Sequence, residues 1–196
     1  MKKCCITTAL LLSCLLFWGQ AIPVKKTFRE DLSKVVGDYS NQFRSFLGEL
    51  LVENPQSADY RSLLNISGAE ECIITKYSAV GKSIFSWQAL MFRTGDWDAA
   101  VKKYKSLFGS INNLSVSLEQ TNLVFKGAYS KPAEELKFSS IIFSPGRKSA
   151  NKLRVELLLE TELMNWIVKI LIYEKEKEDD ERGKIIEHWS VKMNLN

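Results

Sequence analysis

Four groups of residues in this sequence have types and spacings that could support chemistry. They are the triplet Gly81-Lys82-Ser83, the pair Cys72 and His188, the neighbouring carboxylates Glu70-Glu71 and Glu160 with Glu162, and the acidic run Glu178-Asp179-Asp180-Glu181. Gly-Lys-Ser closes the phosphate-binding loop of nucleotide hydrolases. That loop also needs a glycine five positions earlier, so that successive amides turn inward on the phosphates, and it must lead from a strand into a helix. Here Lys76 holds the earlier position, and the residues after Ser83 alternate as a strand does. The triplet therefore does not mark a nucleotide site.

Cysteine and histidine can form a nucleophile and base, but Cys72 stands beside Ile73 and Ile74, an apolar setting that disfavours the thiolate. Ser83, Ser86 and Ser144 lack the glycine elbow that activates a serine nucleophile. His188 is the only histidine, and Cys72 is the only cysteine beyond Cys14, so the chain after its first segment cannot assemble a zinc site from nitrogen and sulfur ligands. The acidic run lacks the alternating spacing and internal glycine of a calcium loop and reads as a solvated hairpin tip. Adjacent carboxylates do not by themselves indicate a glycosidase, whose chemistry depends on their separation across a cleft. These patterns assign no catalytic, cofactor-binding or metal-ligating residue, and no cofactor is expected.

The first segment accounts for much of the charge and most of the thiols. Lys2 and Lys3 precede an apolar run from Ile6 to Trp18, followed by Gly19-Gln20-Ala21, the order of parts in a secretory signal peptide. Residues 1–21 are expected to be cleaved after Ala21, leaving residues 22–196 as one exported domain, periplasmic or extracellular, with no transmembrane span. Leu11-Leu12-Ser13-Cys14 gives the alternative of a lipid anchor at Cys14. Cys4, Cys5 and Cys14 leave with the leader, so no intramolecular disulfide can form and the domain must fold on its apolar core. The full-length charge of +4 falls to +2 once Lys2 and Lys3 are removed, which gives no electrostatic case for nucleic acid.

The remaining sequence supplies the elements that must position any site. Thr27 and Glu30 have capping-box spacing, and Phe28, Leu32, Val35, Val36, Tyr39, Phe43, Phe46, Leu47 and Leu50 recur at helical steps, which predicts a helix of about six turns ending at Asn54-Pro55. Residues 56–65 read as irregular, with a turn at Ser67-Gly68. Glu71–Ala79 and Ser83–Phe92 read as two strands joined by a turn at Val80-Gly81-Lys82, with Phe85, Trp87, Ala89 and Met91 on one face.

Asp96 caps a second helix with the stripe Trp97, Ala100, Val101, Tyr104, Leu107, Phe108 and Ile111, stopped by Gly109 and Asn112-Asn113. Period-two patterns follow at Leu114–Leu118 and, continuing across a bulge, Leu123–Tyr129, then at Leu136–Ser144, Leu153–Leu159, Trp166–Glu174 and Ile185–Met193, with Trp166–Glu174 a central strand covered on both faces. The expected fold is α+β: an antiparallel sheet of about six to seven strands with two amphipathic helices packed on one face, in the order α-β-β-α-β-β-β-β(-β). Trp87, Trp97, Trp166 and Trp189 are expected mainly as core.

Tyr60-Arg61-Ser62 and Ser67-Gly68-Ala69-Glu70, the following strand pair, a helix carrying Ala99-Ala100, Tyr104 and Leu107, and the long alternating strands together resemble small uncharacterised exported proteins of Bacteroidota. The resemblance implies a periplasmic or secreted domain and carries no site residues with it. The leading expectation is a non-catalytic binding or interaction domain of the cell envelope, acting through the sheet face or an edge strand on protein, peptide or a small apolar ligand. The alternative is a hydrolase with a carboxylate or Cys72-based site in a cleft between helix and sheet.

Overall fold

The computed structural model describes residues 27–79, 82–118, 120–146 and 152–175. The leader with Cys14, the Val80-Gly81 turn, the acidic run, the Ile185–Met193 pattern, His188 and Trp189 lie outside the described residues.

The first helix, α1, spans Phe28–Gly37, and its capping box forms as expected: the Glu30 amide donates to the Thr27 hydroxyl at 3.3 Å while the Thr27 amide donates to the Glu30 carboxylate at 3.2 Å. The expectation of six turns is corrected. Asp38 ends the helix by accepting from the Asn41 amide and from the Ser45 backbone N–H and hydroxyl, at 3.2, 3.1 and 2.8 Å. Gln42 and Phe43 then turn the chain back with φ of 58° and 57°. The apolar spacing persists past Gly37 because Phe43 enters the core from this turn and Phe46 and Leu47 pack beside it. Periodicity alone could not separate that arrangement from a longer helix.

Among the described residues nine strands follow, interrupted once by a helix: β1 (Leu47–Asn54), β2 (Ser57–Ser62), β3 (Glu71–Ala79), β4 (Lys82–Thr94), α2 (Trp97–Ile111), β5 (Leu114–Leu118), β6 (Thr121–Lys126), β7 (Phe138–Pro145), β8 (Leu153–Glu162) and β9 (Asn165–Glu174). The sheet is antiparallel, in the order β1-β2-β3-β4-β9-β8-β7-β6-β5. The expected six to seven strands are therefore corrected to nine. Two additions, β1 and β2, come from the stretches read as the end of the first helix and as an irregular segment. β2 was hard to recognise because its polar residues are spent on neighbours: Asp59 accepts from Thr75 at 2.7 Å and Arg61 pairs with Glu49 at 2.8 Å.

Smaller boundaries move as well. β6 stops at Lys126, Leu136 lies in a 3-10 turn ahead of β7, and Gly109 sits inside α2, which Asn112 and Asn113 end. Asp96 caps α2 as expected, accepting from the amides of Asp98 and Ala99 at 2.9 and 3.2 Å.

One core binds these elements. Leu32, Val35 and Val36 of α1 and Ala100, Tyr104, Leu107 and Ile111 of α2 join Trp87, Ala89, Met91, Val155, Leu157, Ile170 and Ile172 from the sheet in a single buried cluster, so both helices lie on one face. β9 runs through the centre between β4 and β8. Its opposite face also buries Ile167, beside which β8 buries Leu158, in keeping with the nearly continuous apolar sequence.

Candidate functional site

β2 and β3 part company at one end of the sheet. Their ladder stops at Arg61 opposite Ile73, and the connecting loop, residues 63–70, swings away before Glu71 starts β3. Between the parted strands lies a depression of about 510 Å³ lined by Arg61, Ser62, Asn65, Glu70, Glu71, Cys72, Leu90 and Arg93. A smaller depression of about 200 Å³ continues from it across the sheet and shares Glu71, Leu90 and Arg93, reaching Lys169 on β9 and Glu162 at the end of β8.

The loop wall is held at several points. The Leu63 amide donates to the Phe46 carbonyl at 2.8 Å, and the Glu70 amide to the Leu90 carbonyl at 2.8 Å. Ser67 donates from both its backbone N–H and its hydroxyl to one carboxylate oxygen of Asp31 on α1, at 3.2 and 2.8 Å. Gly68 turns the loop with φ of 85°, in the left-handed region where a side chain would be strained. Beneath the loop, the Trp87 indole donates to the Ser62 hydroxyl at 3.1 Å, which in turn donates to the Leu64 carbonyl at 2.9 Å. A wall tied to a helix, two strands and a buried tryptophan keeps its shape.

A β-bulge sets the opposite wall. Along β4 the register is Leu90 opposite Lys169 and then Phe92 opposite Val168, so one extra residue, Met91, is taken up between them. Met91 and Phe92 both turn to the core, and Leu90 and Arg93, three residues apart, come onto the other face together. Strict alternation continued from Phe85, Trp87, Ala89 and Met91 would have directed Arg93 inward. Arg93 was therefore not recognised from sequence, and neither were Asn65 and Arg61. The only available signal was that an arginine cannot be left unpaired in an apolar core.

Asn65, Glu70, Glu71 and Arg93 carry no side-chain hydrogen bond or ion pair to any described residue. By contrast, Arg61 is engaged by Glu49, and Lys169 by Glu160 and Glu162 at 2.8 and 3.8 Å. The depression thus presents one uncommitted guanidinium, two uncommitted carboxylates and one amide around an apolar patch at Leu90. No family model, curated protein or solved structure matches the chain.

Each of the described residues considered from sequence has a definite place. Lys82 and Ser83 open β4, a strand, as the rejection of a phosphate loop requires. Glu160 and Glu162 are tied to Lys169, which separates them from Glu70 and Glu71 in role. Cys72 reaches the inner end of the depression but is only 4% exposed, and burial pushes its thiol up to about 11. At neutral pH it is a protonated apolar group. Trp87 and Trp166 are buried, and Trp97 packs against Trp166 with the rings tilted at 55° and 4.4 Å between centroids; none of the three lines the site. Among the described residues no group of three metal-ligating side chains occurs, and no helix is long and apolar enough to cross a membrane.

Proposed function

We propose that this protein is an exported binding domain of the cell envelope that holds a polar ligand where β2 and β3 separate. The observation that supports the reading is the set of uncommitted polar side chains around a firmly held depression. Asn65, Glu70, Glu71 and Arg93 face it without using one another, an arrangement that suits ligand groups more than internal structure. A small apolar ligand, one of the partners anticipated from sequence, fits less well, because charged and amide side chains dominate the lining.

Edge-to-edge assembly is also less favoured. β1 is a long edge strand, but it carries Glu49 and Glu53 and two register shifts against β2, devices that discourage pairing with another chain.

A thermal-shift series with amino acids, short peptides, monosaccharides and dicarboxylates tests the proposal. At least one class should raise Tm in the native protein and fail to do so in Arg93→Ala. A flat response across all classes, or a shift that survives Arg93→Ala, would overturn it. The mass of the exported protein tests localisation: loss of residues 1–21 supports cleavage after Ala21, whereas lipid on Cys14 supports the anchored form.

Hydrolysis stands as a second reading because Glu70, Glu71 and Cys72 meet in one depression. This depression opens between two strands and not between helix and sheet. With the thiol protonated, catalysis would rest on the carboxylates, so Glu71→Gln should abolish turnover of a candidate ester or peptide.

A further inference from the structure

We infer that the depression between β2 and β3 recognises a zwitterion of short-peptide size, with Arg93 taking the carboxylate and Glu70 and Glu71 taking the ammonium group. This rests on the reading of the depression as a binding site and specifies what it binds. The argument is one of charge balance. Arg93 lies more than 4.0 Å from every described carboxylate, since it forms no ion pair with one, yet it shares one depression with two carboxylates that also lack partners among the described residues. A ligand bearing both charges satisfies both sides at once, with the planar guanidinium fork matched to a carboxylate.

The other ligand classes meet specific obstacles. Among the described lining residues a simple anion would find one free cation, Arg93, opposed by Glu70 and Glu71, because Arg61 is paired with Glu49. A metal ion would find two side-chain carboxylates and a nearby guanidinium, short of the oxygen-rich shell a hard cation requires. A sugar would find no aromatic platform, since no Phe, Tyr or Trp lines the depression. The volume of about 510 Å³ exceeds what a single amino acid fills and accommodates two or three residues. Leu90 offers contact to an apolar side chain, and Asn65 offers a donor and an acceptor for a peptide group.

The test is an amide-resolved NMR titration of the protein with the dipeptide Ala-Leu, its N-acetyl form and its C-terminal amide. Free Ala-Leu should shift the amides of Asn65, Glu70, Glu71 and Arg93, and each capped form should bind at least about tenfold more weakly. Arg93→Ala should weaken Ala-Leu by a similar factor while leaving the C-terminal amide form unaffected. The double variant Glu70→Gln with Glu71→Gln should weaken Ala-Leu but not the N-acetyl form. Both variants lie on the surface and leave the core unchanged, so an intact spectrum confirms the fold.

A capped form that binds at this site as tightly as Ala-Leu would overturn the zwitterion inference while upholding the site. Absence of shifts at these four residues with all three probes would overturn the inference as well. The site itself would then stand or fall on the wider thermal-shift series.

Discussion

Asp31 and Cys72 show how single buried side chains shape the site without belonging to its polar rim. Asp31 is 1% exposed and joins α1 to the site's loop through Ser67. One of its oxygens has no hydrogen bond, and its nearest cation, Lys34, lies at 3.7 Å, so the two Ser67 bonds carry most of its satisfaction. Asp31→Ala should cost about 1–3 kcal/mol in chemical denaturation and speed hydrogen exchange across residues 63–70. Unchanged exchange there would show that the backbone bonds at Leu63 and Glu70 suffice.

Cys72 responds to pH in the opposite sense from a paired carboxylate. Its folded value of about 11 exceeds the ordinary 9.0, so the folded state holds the proton longer. Its contribution is fully present below pH 9 and is lost between about pH 9 and 11, a change of roughly 2–3 kcal/mol. The alkaline stability loss over that window should therefore shrink in Cys72→Ala, and the native thiol should resist iodoacetamide at pH 8. Rapid alkylation would contradict its burial and revive it as a nucleophile.

At the scale of elements, the β8–β9 hairpin departs furthest from local preference. Its two turn residues, Leu163 and Met164, have φ of 48° and 70° and are 85% and 96% exposed. Turns of this kind favour Asn-Gly, because side chains strain a left-handed backbone. Replacing Leu163-Met164 by Asn-Gly should stabilise the domain by about 1–2 kcal/mol, read as a rise in denaturation midpoint without a change in slope. A fall would mean that these side chains make stabilising contacts.

Local signals elsewhere were legible: the caps at Thr27 and Asp96, the alternation of β3, β4 and β8, and the apolar run of β9 all carry their reasons within a few residues. The end of α1 was not, because Asp38 acts through Ser45, seven residues on, and the turned-back Phe43 mimics helical spacing. The site was illegible for a related reason. Its residues come from β2, β3, β4 and a loop, and a bulge at Met91, invisible as composition, decides which way Arg93 faces.

The described residues form one sheet folded over two helices, with its ladder strongest in the middle. β4, β8 and β9 are each paired on both sides, whereas β1 and β5 are edges. Hydrogen exchange should be slowest at β9 and its two neighbours and fastest at β1 and β5. An equal rate across all nine strands would indicate that the sheet opens only as a unit.

The depression lies on the flank between the edge hairpin and this centre. The position of β9 also has a temporal meaning. Residues 165–174 follow all the other described strands in sequence, yet they join β4 to β8 at the midpoint of the ladder. While the ribosome is still making the earlier strands, each half of the sheet has a raw border and nothing to zip it to the other. The two halves therefore cannot join into one sheet until residues 165–174 have been made.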